Sequence, residues 1–170
     1  MSFRIHRESP ADAVEEAFFR IQREQMADVP ILNHALSVEA VDFQPWQGHW
    51  LGVVVTPWCM SALLVPGSEA GWQSTGDNRR RFVKFPAGDF AFLGSTAAEL
   101  GEYQSCSLFS PMGQFANQSE AIMTARASLV ALLTDPATAA AAAPPPPPPS
   151  GQPSLSRRRF LAMRYSLVEK

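Results

Sequence analysis

Cysteine is scarce in this sequence of 170 residues, which contains only Cys59 and Cys106. Two cysteines so far apart do not form a disulfide framework and match none of the CxxC spacings of zinc, rubredoxin or thioredoxin-type sites. The first residues, MSFRIHRESPADAVEE, also lack the apolar segment of a secretory signal. Both absences favour the reducing cytoplasm as the compartment of this protein.

The sequence has no strong charge bias either, because it contains 14 Lys and Arg residues and 16 Asp and Glu residues, which give a net charge of -2. A general nucleic-acid binder is normally strongly basic, so that class is disfavoured. The basic run at 79–81 ends a polar loop (67–80) and is typical of a solvated face. No glycine-rich phosphate loop, paired-carboxylate motif or Gly-x-Ser-x-Gly elbow occurs. We therefore expect no enzyme activity, no catalytic or metal-ligating residues and no cofactor.

The sequence also lacks an apolar run long enough to span a membrane. Its most apolar stretch, Leu51 to Val65, has fifteen residues with Gly, Thr, Pro and Ser among them, whereas a spanning helix needs about 20. Valines cluster before Pro57 and favour a strand, and a proline suits a turn. The stretch predicts two buried strands, about 49–56 and 60–66, joined by a turn at Thr56–Cys59.

Helical periodicity is present near both ends of the folded region. Ser9 as N-cap and Pro10 at the first helical position predict a helix that ends near Asp28. A second helix is predicted from about 118 to 133, capped by Asn117 or Ser119. Its expected apolar stripe consists of Ile122, Ala125, Leu129 and Leu132 or Leu133.

Short strands with tight turns fill the middle of the chain. The pattern predicts strands at 39–44, 81–85, 90–93 and about 103–109, besides the two described above. Gln47-Gly48 and the segment 86–89 have the composition of hairpin turns. The predicted fold is α+β, an antiparallel β-sheet meander with an N-terminal and a C-terminal helix. We expect both helices to cover one face of the sheet.

The composition changes abruptly after the second helix. Residues 1–133 are predicted to form one domain, and residues 134–153 form an alanine- and proline-rich spacer whose six consecutive prolines favour polyproline II. Residues 154–170 form a basic segment that contains Ser156-Arg157-Arg158-Arg159-Phe160-Leu161. This string matches the S-R-R-x-F-L core of a twin-arginine export signal, but no apolar region follows it, so it cannot export this protein. It is either a short basic segment docked on the domain or a tethered mimic of a ligand.

The two cysteines leave a thiol- or metal-dependent redox protein as an alternative. Cys106 lies in a predicted strand and is expected to be a small buried hydrophobe, whereas Cys59 at the turn is expected to be more accessible. Both could meet His6, His34 or His49 in three dimensions, but no spacing supports such a site. If Cys59→Ser and Cys106→Ser left the function of the protein intact, this alternative would be wrong.

Two specific strings occur in the chain, W-x-G-x-x-x-T-P-W at 50–58 and Tyr-x-Ser-Cys-Ser-Leu-x-Ser-Pro at 103–111. FPAGDFAFL, the two predicted helices and the terminal SRRRFLAMR accompany these strings in order along the chain. Together these segments resemble the HybE-type (HupJ/HoxT-like) family of nickel–iron hydrogenase assembly chaperones. The chain departs from the family in having an alanine–proline insert and in lacking the rubredoxin module that some relatives carry. With only two cysteines, it cannot itself hold a four-cysteine iron site.

This resemblance implies a cytoplasmic, non-enzymatic chaperone that escorts nickel–iron hydrogenase subunit precursors until their metal centres are in place. The implied partners are the large-subunit precursor, the small-subunit precursor with its twin-arginine signal, and other hydrogenase accessory proteins. Nucleic acid and stable membrane insertion are not expected. A passive scaffold in a larger assembly complex is a further interpretation, which would differ mainly in residence time.

The matched strings supply candidate surfaces for binding such a partner, because aromatic and methionine side chains can hold a partly folded client with tolerance of shape. The candidates are Trp50, Thr56, Pro57, Trp58, Cys59, Tyr103, Cys106, Phe109, Pro111 and Met112. The alternative is that these residues serve the fold, with Trp58 covering the core. In the tail, Arg157, Arg158, Phe160 and Leu161 are candidates for a mimic of the signal, which would require an acidic groove.

Overall fold

The computed structural model describes residues 3–137, which form a six-stranded antiparallel sheet and two helices. The first helix is α1 (Ala11–Ile21), continued by a π-helical segment (Gln22–Met26). The strands are β1 (Glu39–Trp46), β2 (His49–Val55), β3 (Met60–Val65), β4 (Arg80–Phe85), β5 (Gly88–Ala97) and β6 (Gly101–Phe109). The chain then forms α2 (Gln118–Leu132). The predicted α+β class with an antiparallel sheet is confirmed.

The strand order is β1-β2-β3-β6-β5-β4. Two three-stranded meanders, β1–β3 and β4–β6, are thus joined by pairing of β3 with β6, in which Ala62 lies opposite Cys106. The predicted single meander differs from this order because the loop after β3 carries the chain to the far edge of the sheet. As a result β3 is central, and all six of its residues are buried.

The core has two layers, one on each face of the sheet. Val53 and Val55 of β2 pack in the cluster that contains Ala125 and Leu129 of α2. Val54, between them, packs in the cluster that contains Val14 and Phe18 of α1. Because successive side chains of a strand point to opposite faces, the two helices cover opposite faces. The expectation that both cover one face is therefore wrong, since continuous apolar runs such as β2 and β3 need burial on both sides.

The start and end of the first helix differ from the prediction. Pro10 is the N-cap residue and makes no side-chain capping bond, while the Ser9 hydroxyl accepts from the Ala11 N–H at 3.4 Å. The helix ends at Ile21 and continues as a π-helical segment to Met26. A bidentate ion pair ties α1 to the β5–β6 turn, because Arg20 Nε and Nη2 donate to the Glu99 carboxylate at 2.8 and 3.0 Å.

The predicted turns and the second helix are confirmed, with small changes in length. Gln47 and Gly48 both have positive φ, 50° and 82°, as a type I′ hairpin turn requires. The β4–β5 turn contains only residues 86 and 87, so β5 is longer than predicted. Asn117 caps α2 by accepting from the Glu120 N–H at 2.9 Å. The buried side of α2 consists of Ala121, Ala125, Ser128, Leu129 and Leu132, while Ile122 and Leu133 are half-buried.

The spacer beyond residue 137 and the basic tail, including Arg157, Arg158, Phe160 and Leu161, lie outside the described residues, so the predicted division at 133 and 153 stays a prediction. Within residues 3–137, no helix combines the length and apolar character needed to cross a bilayer.

Candidate functional site

The turn between β2 and β3 is held together by its first residue. Thr56 is fully buried, and its hydroxyl donates to the Cys59 carbonyl at 2.8 Å. The same oxygen accepts from the N–H groups of Trp58 (3.3 Å) and Cys59 (2.9 Å). The Thr56 N–H also donates to the Cys59 carbonyl at 2.9 Å, and Pro57 has a fixed φ. The turn is therefore a rigid support for Trp58.

Trp58 covers part of the core and is half-buried. Its ring stacks on Phe18 of α1, with centroids 6.4 Å apart and planes 23° apart, and Phe18 in turn meets the edge of Tyr103 at 6.1 Å. A partly buried tryptophan on a rigid turn is an arrangement common in protein–protein interfaces. The structure thus shows the core-covering role of Trp58, while its contact with a partner stays a prediction.

The two cysteines lie on opposite faces of the sheet. Cys106 is buried in the cluster on the α2 face. The Cys59 thiol accepts from the Ser61 hydroxyl at 3.8 Å. Ser61 lies between Met60 and Ala62, whose side chains point to the α2 face, so the Ser61 side chain points to the α1 face. Cys59 therefore lies on the α1 face, where it is half-buried rather than accessible as expected.

The chemistry of Cys59 is that of a protected thiol. Burial raises the pKa of the Cys59 thiol, an effect that the hydroxyls of Thr56 and Ser61 only partly offset. The thiolate is the reactive form, so this environment disfavours nucleophilic use of Cys59. Among residues 3–137, no group of three or more His, Cys, Asp and Glu side chains is arranged to hold a metal ion. No observation on these residues favours the thiol- or metal-dependent alternative.

The candidates in the string at 103–111, and Met112 directly after it, lie mostly inside the protein. Tyr103, Cys106, Phe109 and Met112 are 0–7% exposed, and burial raises the pKa of the Tyr103 phenol. Only Pro111 among these candidates is exposed. In this conformation four of the five candidates serve the core, and of these five only Pro111 is open to a partner. Their part in binding stays a prediction.

Asn33 joins the two strings, although nothing in its sequence context indicated this. Its backbone N–H donates to the Pro57 carbonyl at 2.8 Å. Its side-chain amide donates to the carbonyls of Met112 and Phe115 at 2.9 and 2.8 Å. The loop before β1 therefore fixes the position of the β2–β3 turn relative to the end of β6. Sequence reasoning missed Asn33 because it lies in a loop without periodicity, between a helix and a strand.

Trp50 is the remaining candidate, and it anchors the N-terminal segment. It is half-buried, and its Nε1–H donates to the His6 carbonyl at 2.7 Å. The His6 ring is hydrogen-bonded to the Leu100 carbonyl at 2.8 Å. The visible role of Trp50 is thus to hold the segment before α1 against β2.

A separate groove of about 680 Å³ lies between the β1–β2 hairpin and the edge strand β4. We refer to it as the β4 groove. Its end is closed by Trp46, whose ring stacks on Phe85 with centroids 4.5 Å apart and planes 18° apart. The lining residues are Trp46, Gln47, His49, Leu64, Gly71, Trp72, Gln73 and the run from Arg81 to Pro86. Sequence reasoning did not find this groove, because its walls come from segments distant in sequence.

Two buried ring nitrogens in the wall of the β4 groove have no hydrogen-bond partner among residues 3–137. They are Nε2 of His49 and Nε1 of Trp72, in side chains only 8% and 9% exposed. His49 Nδ1 accepts from the Gly67 N–H at 3.2 Å, so the neutral ring carries its proton on Nε2. Burial lowers the pKa of His49, and Arg81 lowers it further. The Gly71 backbone opposes this decrease, but at Nε2 it does not reach hydrogen-bond geometry.

The charge of the β4 groove is positive. Arg81 and Lys84 line it, whereas no Asp or Glu does. Arg81 Nε donates to the fully buried Gln104 at 2.7 Å, and its Nη1 donates to Gln73 at 3.1 Å. These bonds hold the guanidinium with neutral partners, and burial lowers the pKa of Arg81. The groove can therefore accept a group that is anionic or rich in hydrogen-bond acceptors.

Comparison with known proteins gives one family. The model of the family described as NiFe-hydrogenase assembly, chaperone, HybE matches residues 9–163, which include the terminal S-R-R-x-F-L string. The hydrogenase expression/formation protein HupJ of Bradyrhizobium diazoefficiens is 42% identical over 122 residues, covering 72% of this chain and 70% of that protein.

Two further similarities concern length and structure. The probable rubredoxin HupJ of Rhodobacter capsulatus is 34% identical over 125 residues, which cover 74% of this chain and 45% of that protein. The chain thus spans less than half the length of that relative. The solution structure of HybE from Escherichia coli is similar with a TM-score of 0.64 and 27% identity, covering 89% of this chain and 90% of that one.

Proposed function

Because the chain belongs to the HybE family of NiFe-hydrogenase assembly chaperones, we propose that it binds the large-subunit or small-subunit precursor of a NiFe hydrogenase in the cytoplasm. Binding would keep an unfinished subunit from export, without catalysis by the chaperone. The match over residues 9–163 carries this proposal. Other hydrogenase accessory proteins are proposed as further partners.

The proposed contact is the outer side of the Thr56–Cys59 turn. Trp58 supports this choice because it is only partly buried, rigidly held and adjacent to α1. The exposed carboxylates of Asp12 and Glu16 on α1 supply charge of the sign that the arginine pair of a small-subunit signal requires. The β4 groove has the opposite charge, so it does not suit that pair.

Co-purification tests this proposal. Tagged large-subunit and small-subunit precursors, expressed separately with the full chain, should each be assayed for recovery of the chain. Trp58→Ala should reduce recovery with the client precursor at least fivefold. Met123→Ala is the matched control, because it removes a more exposed apolar side chain (67%) from α2. No recovery with either precursor would contradict the function, and equal recovery of Trp58→Ala and the control would contradict the contact.

The basic tail is proposed to compete with the signal for this same surface. Its Arg157 and Arg158 stand in the S-R-R-x-F-L string, and a tethered ligand acts at a high effective concentration. Replacing both arginines by glutamine in the full chain should tighten binding of a synthetic twin-arginine peptide, measured by fluorescence anisotropy. Unchanged or weaker binding would favour a tail that serves the fold.

A further inference from the structure

The β4 groove runs along the edge of a strand rather than over its face. Five consecutive residues of β4, 81–85, line it. Successive side chains of a strand point to opposite faces, so a cavity that contacts all five must lie beside the backbone. β4 pairs only with β5 and is an edge of the sheet. The groove therefore borders the unpaired side of β4.

The register of the hairpin identifies the backbone groups on this unpaired side. Phe85 and Gly88 flank a two-residue turn and form its closing, hydrogen-bonded pair. Hydrogen-bonded pairs occur at every second residue of an antiparallel ladder, so Arg81 and Val83 also bond to β5. The bond from the Gly94 N–H to the Arg79 carbonyl (2.9 Å) fits this spacing, because Arg79 lies two residues before Arg81. The N–H and C=O groups of Arg80, Phe82 and Lys84 consequently point away from β5. Within residues 3–137, these groups have no hydrogen-bond partner.

We propose that the free edge of β4 binds an extended, acidic segment of the client by β-strand addition, in the groove closed by Trp46 and Phe85. This assignment rests on the chaperone function proposed above for the identity of its partner. In strand addition the main-chain bonds supply affinity, and neighbouring side-chain sites supply specificity. A segment of six residues would match β4 in length.

The side chains around this edge define the chemistry of the segment. Arg81 and Lys84 give this edge positive charge, which favours carboxylates in the segment. Phe82 is 75% exposed, the most exposed large hydrophobic side chain in the described residues. It offers an apolar contact to the residue of the added strand that lies opposite it. Arg81 and Phe82 point to opposite faces of β4, so a segment that alternates Asp or Glu with apolar residues can meet both.

Neither protection against aggregation nor docking of the chain's own tail accounts for this edge as well as a client segment does. Basic residues on an edge strand can simply prevent aggregation, but that role does not explain the exposure of Phe82. The terminal segment of this chain is a poor occupant, because residues 154–170 carry five Lys and Arg residues against one Glu. Its charge has the same sign as that of the groove.

Hydrogen exchange followed by NMR on the full chain tests the geometry directly. The probe is an eight-residue peptide that alternates valine with glutamate, and its controls are the valine–lysine peptide and a form N-methylated at alternate residues. The valine–glutamate peptide should slow exchange of the Phe82 and Lys84 amides at least tenfold, and that of Arg81, Val83 and Phe85 much less. Binding that slows the exchange of all five amides alike would overturn the proposal. So would equal affinity of the N-methylated and the unmodified valine–glutamate peptides.

A backbone substitution gives the second arm of this test. Phe82→Pro removes an outward N–H and no bond to β5, so the hairpin should persist. Phe82→Thr is its matched control, since it loses the same ring but keeps the N–H. Peptide affinity, measured by tryptophan fluorescence in a background that keeps only Trp46 and Trp72, should be at least tenfold weaker for Phe82→Pro than for Phe82→Thr. Equal affinity would overturn the proposal, and the N-methylated peptide decides the matter if Phe82→Pro does not fold.

Precursor recovery separates this inference from the proposed function. Equal recovery of precursor with both Phe82 variants would leave the chaperone function standing and overturn β4 as the client site. Peptide pairing at β4 without recovery of either precursor would support the edge site and contradict the function. Protection of the Phe82 and Lys84 amides before any peptide is added would show an occupant from this chain or, if it depends on concentration, from a second copy. Either result would overturn the proposal.

Discussion

At the scale of single residues, Asn33 shows how much one loop side chain can determine. It bonds to the Pro57 carbonyl of the first string and to the carbonyls of Met112 and Phe115, just beyond the second string at 103–111. The arrangement of the Trp58 turn beside the end of β6 thus depends on an amide outside either string.

Asn33→Ala should lower the free energy of unfolding by about 2 kcal/mol, because two partly buried carbonyls lose their donor and each such loss costs about 1 kcal/mol. Urea denaturation measures this change. His34→Ala, at an exposed neighbour, is the control and should have little effect. Equal stability of the two variants would mean that water replaces the amide at no cost.

Gly52, the glycine of the W-x-G string, is explained by a close contact. A Cβ atom at this position would overlap the ring of Phe43, which packs directly on the glycine backbone. Gly52→Ala should therefore displace the ring and lower stability by about 1–3 kcal/mol, as overpacking typically does. Gly113→Ala is the matched control, since a Cβ atom added there would meet no other atom within 4 Å. Thermal unfolding that treats both variants alike would contradict this explanation.

At the scale of elements, α1 is held to the sheet by charge as well as by apolar packing. Arg20 lowers the pKa of Glu99 below its ordinary value of 4.5, mainly through the hydrogen-bonded ion pair. A lowered folded-state pKa contributes stability above the unfolded-state value, and this contribution is lost as the pH falls through the acidic range.

Glu99→Gln should accordingly be less stable than the unmodified chain at pH 7, and the difference should shrink as the pH falls below about 4.5, the ordinary glutamate pKa. Urea unfolding at pH 7 and pH 3.5 measures it. Asp89→Asn, at an exposed carboxylate without an ion pair in the described residues, is the control. A difference that stays constant with pH would show that the ion pair is not its source.

At the scale of the whole molecule, two apolar layers share the strands of one sheet, β2 and β3 among them. Leu63 of β3 belongs to the α1 side and Leu64 to the α2 side. Because β2 and β3 contribute to both layers, loss of either layer should expose the other, and unfolding should be a single cooperative transition.

Reporter variants test this coupling. Trp50 and Trp58 pack on the α1 side, and Trp46 and Trp72 pack on the α2 side, so variants that keep only one pair report on one layer. Leu63→Ala or Leu64→Ala should each lower stability by about 2–5 kcal/mol. Both reporter pairs should shift together. Separate transitions would mean that the layers unfold independently.

Local chemistry determined most of what the sequence predicted correctly. The Gln47-Gly48 turn requires positive φ, Asn117 satisfies free N–H groups at the start of α2, and Thr56-Pro57 forms a turn, each through contacts within a few residues. Specific strings at 50–58 and 103–111 indicated the family, which the comparisons show.

Tertiary structure alone decided the rest, because it depends on contacts between segments distant in sequence. The apolar run of β2 is equally compatible with helices on one face or on both, and only packing placed α1 and α2 on opposite faces. The junction of β3 with β6 left β4 as an edge, and the curvature of the sheet brought Trp46 onto Phe85 to form the β4 groove. Contacts between neighbouring residues set most of the elements, and the strings at 50–58 and 103–111 indicate the family, whereas the pairing of distant strands decided which surfaces are free to bind.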